Sequence, residues 1–261
     1  MAEIELPKGR RKPVSKSPHT LLLYSKPKVG KTTIVSQLEN SLLIEHEPHG
    51  ADFVEANVIE INKPSELKQL FDKIEEAGKP YKYLIIDTIT KWDEWSEIVG
   101  TLNYMNKSQG KKFNAKDPTN LTKGKYSYKD KEFETVHSLA NGAGYAHSRA
   151  VMTGWYDRIS ELADHIIFLA HVKDKFVATD RGDTVEATDI SLTGKVKFIY
   201  CTRVDSVGML TKEGNQCIIN FDNENNHIVG GRCEHLDGKI VISEKQEDGT
   251  IKTYWDKIFI K

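Results

Sequence analysis

Cysteine is scarce in this chain: three residues in 261, Cys201, Cys217 and Cys233, with no C-x-x-C pair. An odd, widely spaced set excludes a disulfide framework and a cysteine-built zinc site. No apolar run approaches the roughly 20 residues that a spanning helix needs. The pattern of a secretory leader is also missing, so a soluble, cytoplasmic protein with no membrane partner is expected. Net charge is close to zero, since 37 Lys and Arg stand against 38 Asp and Glu and leave −1 at pH 7. That excludes a protein that coats nucleic acid by bulk charge, and leaves any such contact to a local basic surface. The remaining composition, 38% hydrophobic and 29% charged, is that of a globular α/β chain long enough to bury a substantial core.

The most informative stretch is LLLYSKPKVGKTT at 21–33, an apolar run followed by a tight loop ending in Gly30-Lys31-Thr32. A strand, a loop closing in Gly-Lys-Thr and a helix together hold nucleoside triphosphates. In that reading Ser25, Lys26, Pro27, Lys28, Val29, Gly30, Lys31, Thr32 and Thr33 form the phosphate cradle. Gly30 lets the backbone come close, Lys31 reaches the β- and γ-phosphates, and the Thr32 hydroxyl ligates Mg²⁺. One position departs from the pattern. Ser25 stands where the motif begins with glycine, which calls for either an accessible backbone angle there or an altered loop.

Further along, the spacing predicts a helix over 31–40, buried strands over 42–44 and 57–61, and a helix over 64–77 stopped by Gly78 and Pro80. YKYLIID at 81–87 reads as a buried strand ending in Asp87, and the next helix carries Trp92 and Trp95 on its apolar stripe. Residues 104–144 form a long polar insertion whose lysines, with Tyr126, Tyr128 and Phe133, are the types that contact single strands by charge and stacking. A solvated insertion explains them equally well. A helix near 145–163 and the strand HIIFLAH at 165–171 follow, then a polar segment, then short strands at 204–210, 216–221, 239–243 and 250–260. Glu247-Asp248-Gly249 is a turn that makes the last two a hairpin. Alternating strands and helices with a strand-rich tail give one domain over 20–261, a mostly parallel sheet with an antiparallel extension. Residues 1–19, with GRRKP, read as a basic arm.

Ligands of an open parallel sheet bind beyond the carboxyl ends of its strands. Here those ends carry the phosphate loop, Glu45-His46-Glu47, Asp87 and His171. Asp87 is placed to hold Mg²⁺ with Thr32, Glu47 to orient the attacking water, and His171 to bond the γ-phosphate. With Lys31 these make up the candidate catalytic set. Glu45, His46 and His49 are metal-ligand types, but their spacing alternates faces and no separate metal cluster is expected.

The arrangement over 20–232 resembles the RecA-like recombinase core, and more closely the phage-encoded RecA-like single-strand annealing ATPases. SKPKVGKTT matches Walker A, LIEHEPHG the strand with the catalytic glutamate, YLIID Walker B and IIFLAHVK the sensor strand. The resemblance implies an ATP- and Mg²⁺-dependent enzyme of the host cytoplasm. Such a protein binds and pairs single-stranded DNA during replication or repair, as a ring or filament of identical subunits and in the company of a single-stranded DNA-binding protein. It implies DNA contacts at Lys173, Lys175, Phe176 and Arg181. It also implies that Lys195 and Lys197, read as alternate residues of an edge strand, reach a neighbour's ATP site. A DNA motor of helicase type, or an annealing module using ATP only to control assembly, is the alternative.

Overall fold

Strand β1 (Thr20–Ser25) is buried at every residue because helices and the C-terminal part cover the sheet on both sides, so its sequence is continuously apolar rather than alternating. A computed structural model of the chain describes residues 6, 8–110, 135–178, 184–222 and 227–260, with 174–178 and 184–187 described by their backbone alone. After β1 come α1 (Lys31–Val35), β2 (Ser41–Glu45), β3 (Val58–Glu60), α2 (Pro64–Glu76), β4 (Tyr83–Asp87) and α3 (Ile89–Met105). Then follow α4 (Tyr145–Ser160), β5 (His165–Ala178), β6 (Thr184–Ile190) and α5 (Gly194–Arg203). The last elements are β7 (Ser206–Glu213), β8 (Gln216–Asn220), β9 (Gly230–Gly231), β10 (Lys239–Lys245) and β11 (Ile251–Thr253).

The sheet runs β3-β2-β4-β5-β1-β7-β8-β10-β11. Pairing is parallel from β3 to β7 and antiparallel from β7 to β11, the α/β class expected, with its antiparallel C-terminal extension. The two-residue period of each strand divides the core. Leu22, Tyr24, Ile44, Ile86 and Phe168 face α2 to α5. Leu21, Leu23, Leu43, Ile85 and Leu169 face α1 and the chain's end, where Trp255 donates to the Ile34 carbonyl at 2.9 Å. Each such buried side chain contributes about 2 kcal/mol relative to exposure. Trp92 and Trp95 are core residues, 0% and 4% exposed.

Four expectations differ. The first helix stops at Val35 because the Ser36 hydroxyl turns back to the Thr33 carbonyl at 2.9 Å and Leu38 drops into the core. The polar segment after residue 171 is a β-ribbon, in which β5 runs on to Ala178 and pairs with β6 from Val172–Ile190 to Ala178–Thr184. Its run of charged residues hid the strand pattern, and only the base of the ribbon, at Asp189 and Ile190, is buried among the residues whose side chains are described. LTGKVKF opens a helix, not an edge strand, so residues two apart point to opposite sides. The final strand ends at Thr253, where the chain makes a short helical turn that buries Trp255 and Ile258. The hairpin turn does fall at 247–249, with Gly249 at φ 87° and Asp248 accepting from the Thr250 N–H at 2.9 Å. Of the insertion, 111–134 lies outside the described residues, and with it Tyr126, Tyr128 and Phe133; so do 1–5, 7 and Arg181.

Candidate active site

The neighbouring order β2-β4-β5-β1 brings Glu47, Asp87, His171 and Ser25 to one edge of the sheet. His171 lies in register with Ser25, and Asp87 with Glu45. Each side chain thus comes from the end of a strand whose position is fixed by a buried ladder, which is how an α/β sheet holds a site rigid.

The phosphate loop leaves β1 at Ser25, which is fully buried and needs no left-handed angle. The left-handed residues are instead Lys28, at φ 64°, and Gly30, at φ 108°. Lys31 is 7% exposed, and its Nζ donates to Ser25 Oγ at 3.1 Å. Burial pushes the Lys31 ammonium down, while the Asp87 and Glu47 carboxylates pull it back up. The Thr32 hydroxyl donates to Asp87 Oδ2 at 2.6 Å. Burial holds the Asp87 carboxyl above the usual range, against the opposing effects of the Thr32 bond and Lys31. A half-buried carboxylate with one hydroxyl beside it is a hard-oxygen donor pair that fits a Mg²⁺ ion retaining several waters.

Glu47 is open to solvent and accepts from His171 Nε2–H at 3.1 Å. That bond, more than burial opposes it, keeps the carboxyl below the ordinary range and therefore ionised at neutral pH. The His171 backbone N–H donates to Thr90 Oγ1 at 3.2 Å, which ties β5 to the start of α3.

Two residues next to Glu47 have structural tasks that the sequence does not reveal. Glu45 is buried, and its carboxylate accepts from the backbone N–H groups of Ala51 and Gly50, folding the segment after Glu47 back onto β2. A side chain at Gly50 would strike that carboxylate. His46 donates from Nδ1 to the Ile61 carbonyl at 3.1 Å and accepts from Trp92 Nε1–H at 2.7 Å. Burial pushes its imidazole down to about 4, so it is neutral at pH 7. His49 pairs with Asp52 at the surface, and no group of three metal-ligating side chains occurs among the described residues. The only sequence signal for this clamp was a pair of polar residues ending a buried strand.

The residues assigned to DNA and to a neighbouring subunit are dispersed. Lys173 donates to the Leu192 carbonyl at 3.1 Å and bolts the ribbon's base. Lys175 and Phe176 lie on the ribbon strand β5, where only the backbone is described. Lys197 is buried and bonds Asp189 Oδ2 at 2.6 Å, so its charge is already committed within its own chain. Lys195 is exposed and lines a cleft of about 500 Å³ between the starts of α4 and α5, with Tyr145 and Arg149. Among the described residues no carboxylate lines that cleft. No helix among the described residues is long and apolar enough to cross a membrane.

Among solved structures, a KaiC-like protein from the archaeon Pyrococcus horikoshii OT3 aligns over 90% of this chain and 89% of its own, at 13% identity and a TM-score of 0.44. No curated protein sequence matches the chain. A family model described as an AAA domain matches residues 17–233, which takes in the phosphate loop, Glu47, Asp87, His171 and both strands of the ribbon. With a P-loop followed by a Mg²⁺-competent Thr–Asp pair on a mostly parallel sheet, and most of its length covered by that match, the chain belongs to this family of AAA domains.

Proposed function

We propose that the protein is an ATPase that works on single-stranded DNA, promoting annealing or recombination as an oligomer. The nucleotide part rests on one observation: Lys31, the Thr32–Asp87 pair and the Glu47–His171 pair meet at one edge of the sheet. Loop 25–33 takes the triphosphate, with Lys31 on the β- and γ-phosphate oxygens. Thr32 and Asp87 hold Mg²⁺, which when bound offsets the charge of those phosphates. Glu47, ionised and open to solvent, orients a water molecule and accepts its proton. His171, joined to Glu47 on one side and to the phosphate loop's strand on the other, responds to the γ-phosphate.

Support for a single-stranded partner comes from the cleft between α4 and α5. Among the described residues its two cations face no carboxylate of the cleft, and Tyr145 stands beside them, the combination that tracks phosphates and stacks bases. Lys195 is free to face such a strand or a neighbouring subunit; Lys197 is not.

The test is ATP hydrolysis by the purified protein with and without single-stranded DNA, beside Lys31→Ala and Glu47→Gln. The expected result is turnover stimulated by the single strand, abolished in Lys31→Ala, and slowed at least tens of times in Glu47→Gln with ATP still bound. Undiminished turnover in Lys31→Ala defeats the site. Hydrolysis indifferent to DNA leaves the ATPase and removes the DNA reading. Unwinding of duplex DNA would favour a motor instead.

A further inference from the structure

Ser25 is the one point at which the phosphate loop departs from its pattern, and the structure gives that departure a use. The residue is the last of β1, paired with His171 on β5, and it is fully buried. Its backbone is extended, so nothing in the chain's path asks for glycine there. Its hydroxyl donates to the Lys26 carbonyl at 2.8 Å. The oxygen's remaining lone-pair capacity is turned toward Lys31, whose Nζ approaches to 3.1 Å. Ser25 Oγ is the hydrogen-bond acceptor of Lys31 among the described residues.

We propose that Ser25 is a positioning residue for Lys31, holding the ammonium at the mouth of the loop so that it meets the β- and γ-phosphates already oriented. An ammonium carries three donors. The serine takes one and fixes the direction of the other two, and the serine is itself fixed by its bond to Lys26. A lysine side chain left free surrenders close to its full rotamer entropy on binding, whereas a docked one has surrendered it on folding. The hydroxyl contributes no charge of its own. It therefore orients the cation without competing with the phosphates, as a carboxylate at the same place would. The nearby Asp87 and Glu47 carboxylates remain for Mg²⁺ and for water. This inference rests on the nucleotide part of the proposed function and adds a residue to it.

The experiment is a double-mutant cycle on MgATP affinity, measured by titration calorimetry in wild type, Ser25→Ala, Lys31→Ala and the double variant, with AMP as a second probe. Ser25→Ala is expected to weaken MgATP about tenfold, the loss of one hydrogen bond to a charged group, and to leave AMP unchanged. In the Lys31→Ala background the same change is expected to do nothing, because the group that Ser25 orients is gone. Ser25→Thr keeps the hydroxyl and is expected to restore at least part of the affinity. A tenfold loss that persists in the Lys31→Ala background, or one that extends equally to AMP, overturns the proposal and makes Ser25 a packing residue. Equal MgATP affinity in wild type and Ser25→Ala overturns it too. Wild-type protein that binds no MgATP instead defeats the nucleotide site itself, a distinguishable failure.

Discussion

Replacing Lys197 by alanine separates a lysine that serves its own fold from one that serves a neighbour. Lys197 and Asp189 are each 8% exposed, and their charged atoms stand 2.6 Å apart where α5 returns against the ribbon's base. Asp189 Oδ1 is already occupied by its own residue's neighbour, the Ile190 N–H at 2.8 Å, so removing the ammonium leaves Oδ2 buried without its charged partner. Breaking one side of a buried pair costs about 3–5 kcal/mol, whereas replacing both by groups of similar size and no charge is close to neutral. For a chain of this length that corresponds to a fall in melting temperature on the order of 10 °C. The assay is urea and thermal unfolding of Lys197→Ala beside the Asp189→Asn, Lys197→Met double variant. The single variant should lose most of that stability and the double variant should regain it. A loss under about 1 kcal/mol in Lys197→Ala would refute the structural account and return the residue to the trans-acting role.

Two further outcomes follow from the segment around Glu47. Burial holds the His46 imidazole at about 4 when folded against an ordinary 6.5, so the unfolded chain binds the extra proton between those limits. Its contribution is therefore present above about pH 6.5 and declines by roughly 3 kcal/mol as pH falls to 4; urea unfolding across that window should show the slope in wild type and lose it in His46→Gln. Glu45→Gln weakens the acceptor of the Ala51 and Gly50 N–H groups, and should lower kcat about tenfold with KM for ATP unchanged, because Glu47 acts on water rather than on the nucleotide. A rise in KM with kcat preserved would mean that Glu45 shapes nucleotide binding and not the placement of Glu47.

The parts of the fold that the sequence makes legible are those where one physical cause dominates. Continuous apolar runs such as Leu21–Leu23 and Leu84–Ile86 lie in strands covered on both faces, and Leu67, Leu70, Phe71 and Ile74 keep helical spacing because one side of α2 is buried. For the ribbon of β5 and β6 the regularity described is backbone pairing, and pairing leaves no hydrophobic pattern to read. For α5, the Lys-x-Lys spacing fits either period, and only the buried Asp189 decides that Lys197 turns inward. At the site, Lys31 and Thr32 carry a sequence signal because a Gly-Lys-Thr loop leads from β1 into α1, and Asp87 because it ends a buried strand. Glu45 and His46 were not, since their partners are backbone atoms and the distant Trp92.

Strand β5 passes between β4 and β1 at the centre of the sheet and then leaves it, still a strand, to form the ribbon. No glycine or proline interrupts HIIFLAHVKDKFVA. From His171 to Ala178 the strand extends about 23 Å at the usual rise per residue. By geometry alone, a tilt of about 5° at His171 would carry the far end of a straight strand of that length through about 2 Å. The ribbon and the phosphate-binding groups thus share one uninterrupted stretch of backbone.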